Sequence, residues 1–385
     1  MSVWDDLTGQ PDAIAAFRAA AQQTADGDAS RAMTHSWLVT GPPGSGRSNL
    51  AFAFAAALLS GTPDGDDVTS KQVAARTHPD LAVLSTERVI ITIDEVRALV
   101  KSSNYSPSVA RYRVMIIEDA DRMRESASNV LLKALEEPPP RTVWILCAPS
   151  EADLIPTIRS RVRSVRLRVP SVDDVASLIA RRDHVDADVA QRAAREAQSH
   201  IGMAHRLATN AEARDRRDRT LSTALGIRSV SDAVVAAATL LALAGDDAKA
   251  ITTERDAEER ESALRSLGVA PGGTVPPALR AQLRTLEEDQ KRRATRSLRD
   301  GIDRIMVDLL SLYRDILMLQ LGVGSSLVNA HIEREVRAAS AESTAEQTLA
   351  TIDAITLTRK RIEGNVAPAL ALEAMLVTAA RGTRG

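Results

Sequence analysis

The first 170 residues alternate between short runs rich in β-branched residues and longer stretches with helical spacing. This alternation is typical of a parallel sheet covered by helices, because parallel neighbours are joined by crossover connections. The pattern predicts strands at 36–40, 81–84, 112–117, 142–147 and 164–169. It predicts helices at 11–23, 46–59, 93–102 and 126–137. We therefore expect an α/β domain with a five-stranded parallel sheet.

Two helix ends carry clear local signals. Thr92 and Glu95 have the spacing of a capping box, in which hydroxyl and carboxylate each satisfy an unpaired backbone N–H of the first turn. Three prolines at 138–140 cannot continue the helix that precedes them.

The strand signal disappears after Pro170, and helical patterns follow. Ser171 is placed to cap the first of three helices, predicted at 172–181, 187–197 and 203–208. From about residue 211 the pattern is helical except at 267–277, where glycines and prolines indicate a loop. We predict an α/β domain at 1–169, a small helical lid domain at 170–210, and an all-α domain at 211–385 with a charged insert near 245–277.

A long helix is predicted from Leu279 onward, and one of its faces is apolar throughout. The apolar positions recur in alternating steps of four and three. They are Leu298, Ile302, Ile305, Leu309, Leu312, Ile316 and Leu319. Core within the chain is the default interpretation, and the stripe equally suits side-by-side packing of helical domains in an oligomer.

Composition narrows the function classes. The chain has 385 residues, 44% of them hydrophobic and 26% charged, as expected for a globular protein of two or three domains. Aromatic residues are only 2%, which argues against a stacking platform for single-stranded nucleic acid. A formal net charge of −2 gives no global attraction to nucleic acid. We interpret the single cysteine, Cys147, as a small buried hydrophobe.

The first residues are acidic and lack a signal-peptide core. The longest apolar stretches, 51–59 and 233–244, are shorter than the roughly 20 residues that cross a bilayer. These features predict a cytoplasmic protein.

Residues 41–48 read Gly-Pro-Pro-Gly-Ser-Gly-Arg-Ser, between a predicted strand and a predicted helix. Gly41, Gly44 and Gly46 let backbone N–H groups converge on an anion at a helix N-terminus. The phosphate-loop signature has lysine where Arg47 stands, and the planar guanidinium is a poor substitute for a compact ammonium. Ser48 is still placed to hold a metal ion. We interpret the loop as a degenerate nucleotide site with little or no turnover.

The run Val-Met-Ile-Ile at 114–117, followed by Glu118 and Asp119, occupies the place of a Walker B strand. Such a strand end normally offers aspartate to Mg²⁺ and then glutamate to the attacking water, so the two acids are exchanged here. A displacement of about 1 Å in a catalytic site can cost on the order of 10²-fold in rate. Independent ATP hydrolysis is therefore not expected.

Arg161 lies just before the last predicted strand. An arginine that one subunit places in a neighbour's site can stabilise a transferring phosphoryl group, an effect of roughly 10³–10⁵ in rate. Four other arginines surround it: Arg159, Arg163, Arg166 and Arg168. Spacing alone favours an arginine finger and an ordinary surface arginine equally.

Five motifs of the first 210 residues form a set. They are Leu-Thr-Gly-Gln at 7–10, the degenerate phosphate loop, Ile-Glu-Asp-Ala-Asp at 117–121, Asn-Val-Leu-Leu-Lys-Ala-Leu-Glu-Glu-Pro-Pro at 129–139 and Ser-Arg-Val at 160–162. Together they resemble the clamp-loader branch of the AAA+ proteins, and within it the delta-prime family of bacterial DNA polymerase III in its actinobacterial form. Beyond residue 210 the resemblance rests on helical character and on Gln-Lys-Arg-Arg-Ala at 290–294.

The resemblance implies a stator role in a ring with a delta subunit and ATPase subunits of the gamma/tau type, as part of the DNA polymerase III holoenzyme. Such a complex opens the sliding clamp and loads it at primer–template junctions. The arginine of the family's Ser-Arg-Cys motif completes the ATP site of the adjacent subunit, and that role falls on Arg161. The family's carboxy-terminal helical domains form a collar that holds the complex together.

Three positions depart from the family pattern. Val162 replaces the cysteine of the Ser-Arg-Cys motif and leaves the arginine in place. Many relatives carry a four-cysteine zinc module, but the corresponding segment at 60–79 has no cysteine, and His78 alone cannot build a tetrahedral zinc site, so we predict no zinc. The sensor-2 position, arginine in active ATPases of the family, aligns with His205.

Two hypotheses follow. In the first, the chain is a non-hydrolysing stator that donates Arg161 in trans. In the second, it is an active gamma/tau-like motor in which Arg47 replaces lysine adequately. A stand-alone phosphate-loop NTPase outside replication is a remote third. ATP or ADP with Mg²⁺ is the candidate ligand of the degenerate loop, and sequence does not decide whether the loop binds it passively.

Overall fold

The computed structural model describes residues 2–5, 7–26, 33–86, 90–266, 280–324, 326–364 and 366–382. The chain divides into two compact units, Met1–Thr209 and Asn210–Gly385.

The first unit contains the sheet. Its strands are β1 (Ser36–Thr40), β2 (Leu81–Leu84), β3 (Arg113–Ile117), β4 (Thr142–Ala148) and β5 (Arg163–Arg166). All neighbours pair in parallel, in the order β2-β3-β4-β1-β5. The predicted five-stranded parallel sheet is confirmed, although β5 ends three residues earlier than expected. β4 is buried along its whole length, which is why it reads as one continuous apolar run.

Helices cover the sheet on both faces. They are α1 (Pro11–Asp26), α2 (Arg47–Ser60), α3 (Asp67–Ala74), α4 (Ile93–Ser103), α5 (Glu125–Glu136) and α6 (Pro156–Arg159). Successive residues of a strand point to opposite faces. Accordingly, Trp37 and Val39 of β1 lie in one core with α1 and α2, whereas Leu38 lies in another with α4 and α5.

Most of the few aromatic residues lie in the core that β1 forms with α1 and α2. The Phe17 ring lies 4.8 Å from Trp37 and 4.4 Å from Phe54, centroid to centroid, and all three side chains are buried. Trp144 is buried as well. These rings are therefore unavailable for stacking on nucleic-acid bases.

The local signals in the sequence are observed as helix ends. Thr92 and Glu95 form the predicted capping box of α4. α5 ends at Glu136, and its C-cap Glu137 directly precedes the proline run. Ser171 caps the helix α7 (Val172–Asp183) together with Asp174.

Two more helices complete the first unit, α8 (Ala187–Glu196) and α9 (Ile201–Thr209). α9 begins two residues before the predicted start. The helix α3 was not expected from the sequence, because it is short and mostly polar. Its first turn is capped by Asp66, whose carboxylate accepts the backbone N–H groups of Val68 and Thr69.

The second unit is helical. Its helices are α10 (Ala211–Leu225), α11 (Val230–Ser266), α12 (Arg280–Gln320), α13 (Glu333–Glu342), α14 (Ala345–Glu363) and α15 (Pro368–Gly382). The predicted insert is a continuation of α11 as far as Ser266, and its remainder at 267–277 lies outside the described residues. An irregular segment between α12 and α13 was not expected from the sequence.

The apolar stripe of α12 lies inside this unit. Ile302, Leu309 and Leu312 are fully buried, and Leu298 and Leu319 pack against the same core from its margin. The stripe is therefore intramolecular core, and its side chains are not free for packing between subunits. Among the described residues, no helix combines the length and apolarity needed to span a membrane.

Candidate functional site

The parallel sheet separates the candidate residues onto two opposite edges. The phosphate loop follows the carboxyl end of β1, and Glu118 follows the carboxyl end of β3, so both lie at one edge. Arg161 precedes β5, and Glu136 closes α5 before β4, so both lie at the amino edge.

At the carboxyl edge, the phosphate loop has the backbone that its glycines allow. Gly44 and Gly46 have φ of 79° and 89°, values that favour glycine, and Gly46 caps the start of α2. Arg47 opens α2, and its Nη1 donates a hydrogen bond back to the carbonyl of Gly41. Ser48 is half-buried in the first turn of the same helix.

Glu118, at the metal position of the Walker B strand, is already paired. Its Oε2 lies 2.9 Å from Nη2 of Arg76, which follows α3, and the Glu118 side chain is only 12% exposed. The Arg76 guanidinium also lies over the ring of Phe52, 5.4 Å from its centroid. A cation of the chain thus neutralises the carboxylate that would face Mg²⁺.

The neighbouring acids are also unsuited to a metal site. Asp119 has a left-handed backbone (φ 51°) and lies 3.5 Å from the Nε of Arg122. Burial raises the pKa of Asp121, and the negative charge of Asp119 raises it further. Within the described part of the chain, no cluster of three or more metal-binding side chains occurs.

The start of α9 lies against the phosphate loop. The Ile201 N–H donates to the carbonyl of Gly44 (3.3 Å), and a Cβ added to Gly44 would lie 2.2 Å from Cγ of His200. The imidazole Nδ1 of His200 accepts the N–H of Met203 (3.2 Å), which fixes the ring at the helix start. His205, assigned to the sensor-2 position, lies elsewhere: its Nδ1 is 2.7 Å from Asp183 of α7.

The contacts of Ser45, Arg47 and Glu118 show whether the phosphate loop and its surroundings fit Mg²⁺-ATP. The buried hydroxyl of Ser45 has no hydrogen-bond partner among the described residues, so the loop retains one polar group that a phosphate could use. Against this, Arg47 is bonded to the loop itself and Glu118 to Arg76. In this arrangement the residues do not fit Mg²⁺-dependent turnover.

The structure also places His78 and Cys147. His78 is buried, and its Nδ1 accepts the N–H of Asp80 (3.1 Å). The prediction that the segment lacks zinc stays a prediction. Cys147 is buried in β4, and burial raises the pKa of its thiol to about 12, so it is a protonated core residue as expected.

At the amino edge, Arg161 is one-third exposed and bonded on every nitrogen. Nε donates to Oε1 of Glu136 (2.6 Å), and Nη2 forms an ion pair with the same oxygen. Nη1 donates to the carbonyl of Thr157 (2.7 Å) and to the hydroxyl of Ser160 (3.0 Å). The guanidinium is therefore held in one orientation at the protein surface.

Arg76, His200 and Glu136 were not predicted from the sequence as residues of the site. Arg76 belongs to no motif and meets Glu118 only through the fold. The sensor-2 alignment selected His205 on α9, whereas the residues of that region that lie against the loop are His200 and Ile201. Glu136 could have been found, because α5 and α6 each end just before a strand of the same parallel sheet, β4 and β5, which flank β1.

The first part of the chain is similar in sequence to known proteins. Residues 13–171 match the family described as DNA polymerase III, delta subunit. A DNA polymerase III subunit delta′ of Pseudomonas aeruginosa is 38% identical over 134 residues, which are 33% of this chain and 41% of that protein. The Escherichia coli subunit delta′ is 32% identical over 143 residues, covering 35% of this chain and 43% of that protein. The chain thus spans about two fifths of the length of these relatives.

Subunits of the gamma/tau type match at lower identity. The Mycobacterium tuberculosis DNA polymerase III subunit gamma/tau is 29% identical over 160 residues, covering 40% of this chain and 28% of that protein. A solved DNA polymerase III gamma subunit-related protein of Thermotoga maritima superposes with a TM-score of 0.47 at 16% identity, covering 97% of this chain and 100% of that one. The family match over 13–171 and the delta′ relatives show that this matched part of the chain is of the clamp-loader delta-prime type.

Proposed function

We propose that the chain is the stator of a DNA polymerase III clamp loader and that Arg161 completes the ATP site of an adjacent gamma/tau-type subunit. In this role it works in the cytoplasm with a delta subunit and the ATPase subunits. The assembled complex loads the sliding clamp onto primer–template DNA.

The position of Arg161 relative to the chain's own phosphate loop carries the proposal. Arg163 pairs with Trp37, and Arg166 pairs with Thr40, so β5 and β1 run in register. Arg161 lies two residues before that register begins, and the loop starts one residue after it ends. At about 3.3 Å per residue, the two are separated by roughly 20 Å along the strands. A side chain cannot cross that distance, so Arg161 does not serve the chain's own loop, which supports a role toward another molecule.

The chemistry of such a contact is electrostatic. Negative charge on the oxygens of a transferring phosphoryl group is stabilised by a guanidinium held beside it in a site that excludes water. The neighbour's own loop and metal ion would bind the nucleotide. This chain would supply only the cation, which agrees with a loop of its own that does not fit turnover.

Replacement of Arg161 by alanine in the reconstituted loader tests the proposal. We expect hydrolysis at the interfacial site to fall by on the order of 10³-fold. Single-turnover hydrolysis is the better readout, because other ATPase subunits mask the loss in steady state. Arg159→Ala is the matched control, since Arg159 is exposed on α6 two residues away. Its single-turnover rate should equal that of the native complex.

Hydrolysis by the isolated chain separates the stator from the motor. The stator hypothesis expects no turnover above background when labelled ATP is titrated against the purified protein. Sustained hydrolysis by the chain alone would establish the motor instead. An unchanged single-turnover rate in the Arg161→Ala complex would reject the assignment of Arg161 as the finger.

A further inference from the structure

We infer that Glu136 is a positioning residue for Arg161, holding the guanidinium in the orientation in which it meets a neighbour's nucleotide. The inference rests on the proposed function, since it assigns a second residue to the same contact. It concerns the conformation of Arg161 before any partner binds.

The hydrogen bonds of Arg161 come from two separate elements. Glu136 is the last residue of α5, and one oxygen of its carboxylate accepts the Nε–H and forms an ion pair with Nη2. Thr157 and Ser160 belong to the turn of α6 and receive the two Nη1–H groups. A guanidinium has five N–H groups. Three donate the hydrogen bonds to Glu136, Thr157 and Ser160, and the other two are on Nη2, which is ion-paired with Glu136.

Stability of the chain does not account for the Glu136–Arg161 pair. The two side chains are 45% and 32% exposed, and exposed ion pairs contribute little because water screens them. A carboxylate at the carboxyl end of a helix is also disfavoured by the negative end of the helix dipole. The position of Glu136 thus lowers the stability of α5 slightly, and the exposed ion pair contributes little stability in return.

Preorganisation does account for the pair. A free arginine side chain samples many rotamers and loses that freedom when it binds a phosphate. Arg161 has lost it already, because contacts from α5 and α6 fix the guanidinium. The part that Glu136 plays is distinct from that of Thr157, since only the carboxylate orients the Nε side of the group.

The inference is tested in the reconstituted loader with Glu136→Ala, Glu136→Gln and the matched control Glu137→Ala. Glu137 is the adjacent exposed glutamate. We expect Glu136→Ala to lower the single-turnover rate by about tenfold to a hundredfold, because a displaced catalytic group loses rate steeply. The KM for ATP should not change, since the neighbour binds the nucleotide.

Glu136→Gln should restore most of the rate, because the amide oxygen still accepts from Nε and Nη2. Glu137→Ala should behave like the native protein. Incorporation of each variant into the loader, measured by gel filtration, and its melting temperature should match those of the native chain.

Each alternative result has a definite meaning when Arg161→Ala is measured alongside. If Arg161→Ala has no effect, the proposed function fails and the inference fails with it. If Arg161→Ala slows hydrolysis but Glu136→Ala does not, only the inference is overturned. It is also overturned if Glu136→Ala impairs incorporation, or if glutamine restores nothing, since either result indicates a structural role.

Discussion

At the scale of single residues, buried charge in this chain is satisfied by converging hydrogen bonds. Asp80 is the clearest case, because its carboxylate is fully buried just before β2. It accepts the N–H groups of Ser108, Val109 and Ala110, and the Ser108 hydroxyl, at 2.6–2.8 Å. Asp80 thereby fastens the segment between α4 and β3 to the sheet.

Asp80→Asn should destabilise the protein at neutral pH. Burial alone would raise the pKa of Asp80, but the hydrogen bonds from Ala110, Ser108 and Val109 outweigh it and lower the pKa to about 2. At pH values above the ordinary pKa of 3.8, the ionised carboxylate therefore stabilises the fold by about 2 kcal/mol. This contribution is lost as the pH falls from about 4 toward 2, because the carboxylate becomes protonated.

Urea unfolding at pH 7 and at pH 3 measures this dependence. The asparagine variant should lose about 2–3 kcal/mol at pH 7 and a smaller amount at pH 3. Asp66→Asn is the control, since Asp66 also accepts two backbone N–H groups but is exposed, and asparagine caps helices equally well. Equal losses of unfolding free energy in the two variants would contradict the conclusion that the buried, hydrogen-bonded carboxylate of Asp80 stabilises the fold.

At the scale of elements, sequence patterns locate most strands and helices because their signals are local. Capping at Thr92 and Ser171 and the stop at Pro138 depend on a few adjacent residues. α3 was missed because it is short and mostly polar, so it lacks a strong periodic signal. The packing of the α9 start on the phosphate loop could not be read locally, because it joins residues far apart in the chain.

Gly44→Ala should destabilise the first unit more than an ordinary glycine replacement. The new Cβ would lie 2.2 Å from Cγ of His200, and the backbone there has φ of 79°. Gly61→Ala is the matched control, because Gly61 has φ of 72° and no atom within 4 Å of an added Cβ.

Backbone strain alone should cost about 1 kcal/mol at either glycine, and the clash with His200 should bring the loss at Gly44 to about 2–4 kcal/mol. Urea unfolding gives both values. In hydrogen-exchange measurements, the additional destabilisation by Gly44→Ala should appear as faster exchange of the first amides of α9. Similar losses at both glycines would mean that the α9 start does not press on the loop.

At the scale of the whole molecule, the chain consists of two units with separate hydrophobic cores. The sheet unit packs apolar side chains on both faces of the strands, whereas the helical unit packs them along α11, α12, α14 and α15. The stripe of α12 was consistent with either intramolecular or intersubunit packing. Only the tertiary fold shows that it belongs to the core.

Leu309→Ala should destabilise the helical unit by about 2–5 kcal/mol, because Leu309 is fully buried and its loss leaves a cavity. Leu349→Ala is the control in the same unit, since Leu349 is 48% exposed and its truncation should change stability by less than about 0.5 kcal/mol. Hydrogen exchange along α11 and α12 measures the effect. A loss at Leu349 as large as that at Leu309 would contradict the intramolecular assignment of the stripe.

The sequence by itself determined the α/β character of the first unit, the helical character of the second, and the presence of a phosphate loop with arginine in place of lysine. These follow from periodicity, capping and motif spacing, which are properties of neighbouring residues. The tertiary structure decided which charges meet. Arg76 reaches Glu118 across 42 residues of sequence, and Glu136 reaches Arg161 across 25. Parallel strand pairing then puts the phosphate loop and Arg161 at opposite edges, because every strand of a parallel sheet points the same way.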